Sequence, residues 1–282
     1  MLIRIDHTTT YTYQQAPRSI IQMLRLTPRP HEGQHIKRWD IELDADARMR
    51  KGEDAFGNIT HTLYVDAPPE RLSIRVKGEV MTTDTAGTLS GLAERLSPLV
   101  YLRATDLTAP DAAILELARK LDEGSSLEKA HRLSQHLYRD LRFEIGATTT
   151  AHTAAEVLQQ KSGVCQDYAH LFIATSRAMG IPARYISGHL YRADGQSSQD
   201  AAHAWAEAWI EDLGWVGFDP ANGVCPTEAY VRVAAGLDYL GAAPIRGSSY
   251  GGGAEDLEVK VEVYDARTPP PQPRQQQTQQ QS

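Results

Sequence analysis

The chain has 282 residues, 41% of them apolar and 23% charged, with 29 basic and 36 acidic side chains and a net charge of −7. That balance favours a soluble globular protein and lacks the basic surplus of a nucleic-acid binder. Two cysteines, Cys165 and Cys225, exclude a disulfide-dense scaffold and a four-cysteine zinc site, and no run of about 18 apolar residues marks a membrane helix.

Residues 1–100 read as β-rich. Leu2 to Tyr13 alternates and is rich in Thr and Tyr, and strand-like runs follow at Ile36–Leu43, Ile59–Val65 and Leu72–Val80. Pro28-Arg29-Pro30, Phe56-Gly57-Asn58 and Pro68-Pro69 separate them, which suggests a sandwich-like N-terminal domain. The period changes near residue 105. Asp111–Glu123 has helical spacing, with Ile114, Leu117, Ala118 and Leu121 on one face. Ser125 with Glu128, and Thr153 with Glu156, are capping boxes that open two more helices. Ser162-Gly163-Val164-Cys165 reads as a tight turn, followed by a largely buried helix that Gly180 and Pro182 stop. Strands are expected at Ala183–Tyr191, His203–Glu211, Trp215–Asp219 and Leu257–Val263, with a tight connection at Asp212-Leu213-Gly214. The polar Asp194–Asp200 stretch reads as a flexible loop. The Pro- and Gln-rich residues 266–282 read as a disordered tail. The expected class is α+β, with a second unit over 105–265.

Cys165 falls at the start of a predicted helix, where partial positive charge and unpaired N–H groups favour a thiolate and can hold an oxyanion. Strand parity puts His203, Trp205, Glu207 and Trp209 on one face, with Ala204, Ala206 and Ala208 on the other. A turn near Asp212-Leu213 returns Asp219 opposite Trp205 and diagonal to His203, about 7–8 Å away by backbone. A nucleophile, a base and a carboxylate that fixes the base's tautomer form the set that acyl transfer needs. Each alone has a plainer reading: a buried cysteine, a core histidine, a turn aspartate before Pro220. His152, His170 and His189 lack metal-ligand spacing and read as structural or exposed, and Cys225 as a bystander. Trp205, Trp209 and Trp215 read as core behind the site or as its rim.

The segments Ser162-Gly163-Val164-Cys165-Gln166-Asp167, His203-Ala204-Trp205 with Glu207, and Gly214-Trp215-Val216-Gly217-Phe218-Asp219-Pro220-Ala221-Asn222-Gly223 resemble the three motifs of the bacterial transglutaminase-like family. Arg25-Leu26-Thr27-Pro28-Arg29 and Asp54-Ala55-Phe56-Gly57-Asn58 are similar to its N-terminal region. The resemblance implies a papain-like core behind the β-rich domain. It implies thioester chemistry at Cys165, His203 and Asp219 on peptide or isopeptide amides, and no cofactor or metal. Peptide or protein substrates are the implied partners, with neither nucleic acid nor membrane. Hydrolysis is the first expectation; amine transfer, or a non-catalytic binding module on the same fold, are the alternatives. Gln166, Asp167, Tyr168 and Trp205 are candidates for the cleft or the oxyanion site, and Gln159 and Gln160 are oxyanion candidates by residue type. Met1–Tyr13 has no signal-peptide run, so the expected location is cytoplasmic.

Overall fold

A computed structural model describes residues 1–267 apart from 195 and 200. Alternation of buried and exposed residues builds its first part. Strand β1 (Leu2–Tyr13) buries Ile3, Ile5, His7, Thr9, Tyr11 and Tyr13, as a period of two requires. It is followed by β2 (Ser19–Thr27), β3 (Gln34–Leu43), β4 (Arg48–Glu53), β5 (Ile59–Asp66), β6 (Arg71–Thr82) and the short β7 (Thr88–Leu89). Strands β2 and β4 were not anticipated. β4 is exposed throughout, so no apolar alternation marks it.

Helices α1 (Ala112–Leu121), α2 (Ser126–Asp140) and α3 (Ala154–Gln160) come next, with β8 (Arg142–Phe143) before α3 and β9 (Ser162–Gly163) after it. Both predicted capping boxes form: Ser125 and Thr153 each cap a helix with the Glu three residues on. Helix α4 (Cys165–Ala178) is buried from Asp167 to Arg177, as suits a central helix covered on all sides. Then come β10 (Ala183–Leu190), β11 (Ser198–Gln199), β12 (His203–Ile210), β13 (Gly214–Phe218), β14 (Tyr230–Gly236), α5 (Tyr239–Ala242), β15 (Ile245–Tyr250) and β16 (Glu255–Asp265). The stretch expected as a loop at 194–200 thus carries a two-residue strand, paired with β16. From residue 268 the predicted tail lies outside the described residues.

Three main sheets result. The first has the order β11-β16-β1-β6-β3, the second β15-β2-β5-β4, and the third β14-β10-β12-β13-β7. The first two face each other across a core of Tyr11, Ile20, Leu24, Leu63, Val65, Leu72, Ile74 and Val76. The strand pairing crosses the boundaries expected from sequence. β15 and β16, placed within 105–265, add to the N-terminal sheets through β2 and β1, while β7, placed within 1–100, joins the third sheet through β13. Hydrogen-bond partners far apart in the chain decide this, and local composition carries no trace of them.

Helix α4 lies against β12, whose Ala204, Ala206 and Ala208 share a core with Phe172 and Phe218. Alanines at alternate positions allow the helix to approach closely. On its open side, strand β14 is capped by two side-chain amides. Gln34 exchanges hydrogen bonds with the backbone N–H and C=O of Arg232, and Asn58 does the same with Ala235, all at 2.7–2.8 Å. An edge strand's free polar groups are satisfied in this way. The two amides also dock the N-terminal part of the chain onto the third sheet. Asp54 orients Asn58 and is itself held by Arg25 at 2.9 Å.

Candidate active site

Cys165 is the first residue of α4, after an extended Val164. The N–H groups of Cys165 and Gln166 therefore lie in the first turn, where a helix has no acceptor for them. Asp167 closes this terminus. Its Oδ2 accepts from the Val164 N–H at 2.7 Å and from the Thr148 hydroxyl at 2.6 Å. Burial pushes its carboxyl upward despite those two bonds. Gly163 lies in the short strand β9, with no positive φ, rather than in the tight turn expected there. It is needed for space, because a Cβ there would stand 2.6 Å from Asp167 Oδ2.

The β12–β13 register pairs Ala206 with Phe218, so Asp219 continues opposite Trp205 and diagonal to His203. Across that diagonal His203 Nε2–H donates to Asp219 Oδ2 at 2.6 Å. The remaining ring nitrogen, Nδ1, is left for the cleft. Cys165 and His203 line one cavity of about 350 Å³. Burial opposes the imidazolium, but the Asp219 carboxylate and then Cys165 outweigh it and raise His203 to about 10.

Asp219 is fully buried and has four further donors. The Asn222 side-chain amide (2.6 Å) and the Tyr230 hydroxyl (2.8 Å) donate to Oδ2, and the Ala221 and Asn222 backbone N–H groups to Oδ1. Burial alone would raise its carboxyl; the charge of His203 and these hydrogen bonds prevail and hold it below the usual range. Asn222 lies in the quoted motif but drew no role there, although its position three residues after Asp219 is a readable turn signal. Tyr230 comes from β14, and nothing local in the sequence points to it.

Family models described as the transglutaminase-like superfamily and the bacterial transglutaminase-like N-terminal region match residues 115–220 and 3–81. An uncharacterised protein of Mycobacterium leprae is 32% identical over 274 residues, covering 93% of this chain and 98% of that protein. The chain belongs to the bacterial transglutaminase-like family. Its fold is shared with a candidate cysteine protease from Cytophaga hutchinsonii at a TM-score of 0.75 and 22% identity, over 95% of this chain and 92% of that one. A protein-glutamine gamma-glutamyltransferase of Pseudomonas aeruginosa is 33% identical over 106 residues, which are 33% of this chain and 15% of that protein.

In this transglutaminase-like protein only Gln166 of the four cleft candidates lines the cavity. Asp167 is turned beneath the helix terminus and fully buried, and Tyr168 is packed in the core. Trp205 lies on the sheet face away from α4, stacked on His203 with centroids 6.1 Å apart and edge-on to Tyr230 at 5.4 Å. Gln160 is engaged with the Ser162 carbonyl at 2.7 Å, and Gln159 is not among the cavity-lining residues. His170 accepts the Tyr239 N–H, and His152 accepts the Thr149 N–H. Glu207, two positions beyond Trp205, is buried between Arg184 (2.6 Å) and Arg232 (2.7 Å). Burial opposes its charge, but the two guanidinium groups prevail and lower it to about 2. Trp215 covers the Arg184 guanidinium at 3.8 Å. Among the described residues no group of three or more His, Cys, Asp or Glu side chains is arranged to hold a metal ion.

Proposed function

We propose that this protein is a cysteine-dependent acyl-transfer enzyme that hydrolyses peptide or isopeptide amides through a thioester. The reading rests on one observation: Cys165, at the first turn of α4, shares a cleft with a His203 that Asp219 holds by Nε2. His203 takes the thiol proton, and the Cys165 sulfur adds to the substrate carbonyl. The oxyanion is received by the free N–H groups of the helix terminus. His203 then protonates the departing amine, and the acyl group remains on sulfur. Water, deprotonated by the same ring, adds to the thioester and releases the acid and the thiol. Asp219 keeps the ring in one orientation and supports its charged form.

Cys165→Ala is expected to abolish turnover of peptide substrates while leaving the thermal unfolding midpoint nearly unchanged. Full activity in that variant would sink the reading, and absence of turnover in the parent protein would favour a binding module. Iodoacetamide at neutral pH is expected to alkylate Cys165 much faster than Cys225, whose thiol burial pushes upward.

The Pseudomonas aeruginosa relative, named as a gamma-glutamyltransferase, favours a second reading in which an amine resolves the thioester. Product masses in excess primary amine decide between them. Amide adducts mean transfer, and free acid alone means hydrolysis.

A further inference from the structure

One face of β1 runs from packed core into the open cleft. At one end Ile3 and Ile5, with Val261 and Val263 of β16, pack against Val231 of β14. At the other end Tyr13 packs against the second sheet. The middle of the strand is buried as well, but it borders the cavity. There His7, Thr9 and Tyr11, on the same face by strand parity, line the cavity that holds Cys165 and His203. β16 adds Leu257 and Val259, which pair with Tyr11 and Thr9. The cleft therefore has two walls, one from α4 and the catalytic sheet, the other from β1 and β16.

The second wall has a definite chemistry. Among the described residues no Asp, Glu, Lys or Arg side chain lines the cleft on either wall. His7 is buried and stays neutral, because desolvation holds it down at about 4. Its Nε2 lies 3.2 Å from the Thr9 hydroxyl, and its Nδ1 has no hydrogen-bond partner among the described residues. A charged side chain entering this space would lose its water and, among the described residues, find no counter-charge on its lining beyond His203 itself. An apolar side chain gains by burial against Tyr11, Leu257 and Val259. About 350 Å³ is within the range of small-ligand pockets, about 300–1,000 Å³.

We infer that the cleft selects acyl donors whose side chain beside the reacting carbonyl is uncharged and largely apolar, and that the wall formed by β1 and β16 makes the selection. This rests on the reading of Cys165 as nucleophile. The test uses the full chain and three alkylating probes: N-benzyl chloroacetamide and its 4-carboxy and 4-aminomethyl analogues. In each case the sulfur–carbon bond forms as chloride leaves. Rates at Cys165 are read by peptide mass spectrometry, normalised to glutathione for intrinsic reactivity and to iodoacetamide for thiol state. The neutral probe is expected to react at least tenfold faster than either charged one. Leu257 is 53% exposed, so charged replacements are tolerated there. Leu257→Lys is expected to shift the ratio tenfold toward the anionic probe, and Leu257→Glu tenfold toward the cationic one. Equal rates for the three probes, or shifts of the same sign in both variants, would overturn the inference while leaving the nucleophile in place. Iodoacetamide labelling of Cys165 no faster than of Cys225 would instead overturn the nucleophile reading, and this inference with it.

Discussion

His203 on β12 and Asp219 just beyond β13 meet through Nε2 and Oδ2 at 2.6 Å, and that contact fixes both the orientation and the charge of the ring. With His203 raised to about 10, its imidazolium persists through neutral pH. Proton donation to the leaving amine should therefore fail only as pH rises toward 10, giving kcat/KM an alkaline limb there. Asp219→Asn removes the largest support of the charged form. The limb should move down toward the ordinary imidazole range near 6.5, with kcat falling by about 10⁴ as in comparable triads. A limb that stays near 10 in the variant would show that Asp219 does not set the charge. The same pair stabilises the fold fully below about pH 6.5, and that contribution fades as pH rises through about 10.

Tyr230 holds Asp219 from a third strand. Tyr230→Phe deletes one donor to a buried carboxylate, a loss of about 1.5–3 kcal/mol of stability. The side chain's packing on Trp205 is retained, so turnover should drop far less than in Asp219→Asn. Urea unfolding and steady-state kinetics on one preparation check both halves.

Glu207 sits between the buried guanidinium of Arg184 and the largely buried one of Arg232. Glu207→Ala removes the anion between Arg184 and Arg232, leaving Arg184 with Glu94 and Arg232 with no carboxylate partner among the described residues, and is expected to cost about 3–5 kcal/mol. An unfolding free energy within about 1 kcal/mol of the parent, on the scale of an exposed pair, would rule out that role.

Gly163→Ala places a methyl group against the Asp167 carboxylate, which caps the helix that Cys165 begins. Relief requires moving either the cap or the turn, at about 1–3 kcal/mol. Slower iodoacetamide labelling of Cys165 should accompany the destabilisation, because both follow from displacement of the helix start.

Three histidines are buried neutral. Burial lowers His7 and His170 to about 4 and takes His189 well below its ordinary value. Between pH 6.5 and 4 the unfolded chain binds protons that the folded chain refuses, so stability falls as pH falls. The three give roughly three protons taken up on unfolding near pH 5, and His31, which burial also lowers to about 4, adds a fourth, or about 5 kcal/mol per pH unit in all. Unfolding midpoints in urea across that range, converted to proton uptake, measure the number directly. An uptake near zero would show that these rings titrate normally.

The local elements were legible in the chain itself. Periods of two and 3.6 set β1, α1 and α2, the Ser125–Glu128 and Thr153–Glu156 boxes set two helix starts, and Gly180 set a stop. Strand parity and one short turn were enough to bring Asp219 diagonal to His203, because a hairpin's register is a local property. The assembly was decided elsewhere. β16 pairs with β1 across some 250 residues, Tyr230 reaches Asp219 from a strand that sequence did not suggest, and Gln34 and Asn58 seal an edge far from them in the chain. The second wall of the cleft belongs to that class. His7, Thr9 and Tyr11 read as ordinary strand residues, and only the placing of two other sheets over the ends of β1 leaves them facing Cys165. Local spacing fixes which side chains share a face, whereas what that face meets depends on which distant strands can bury it.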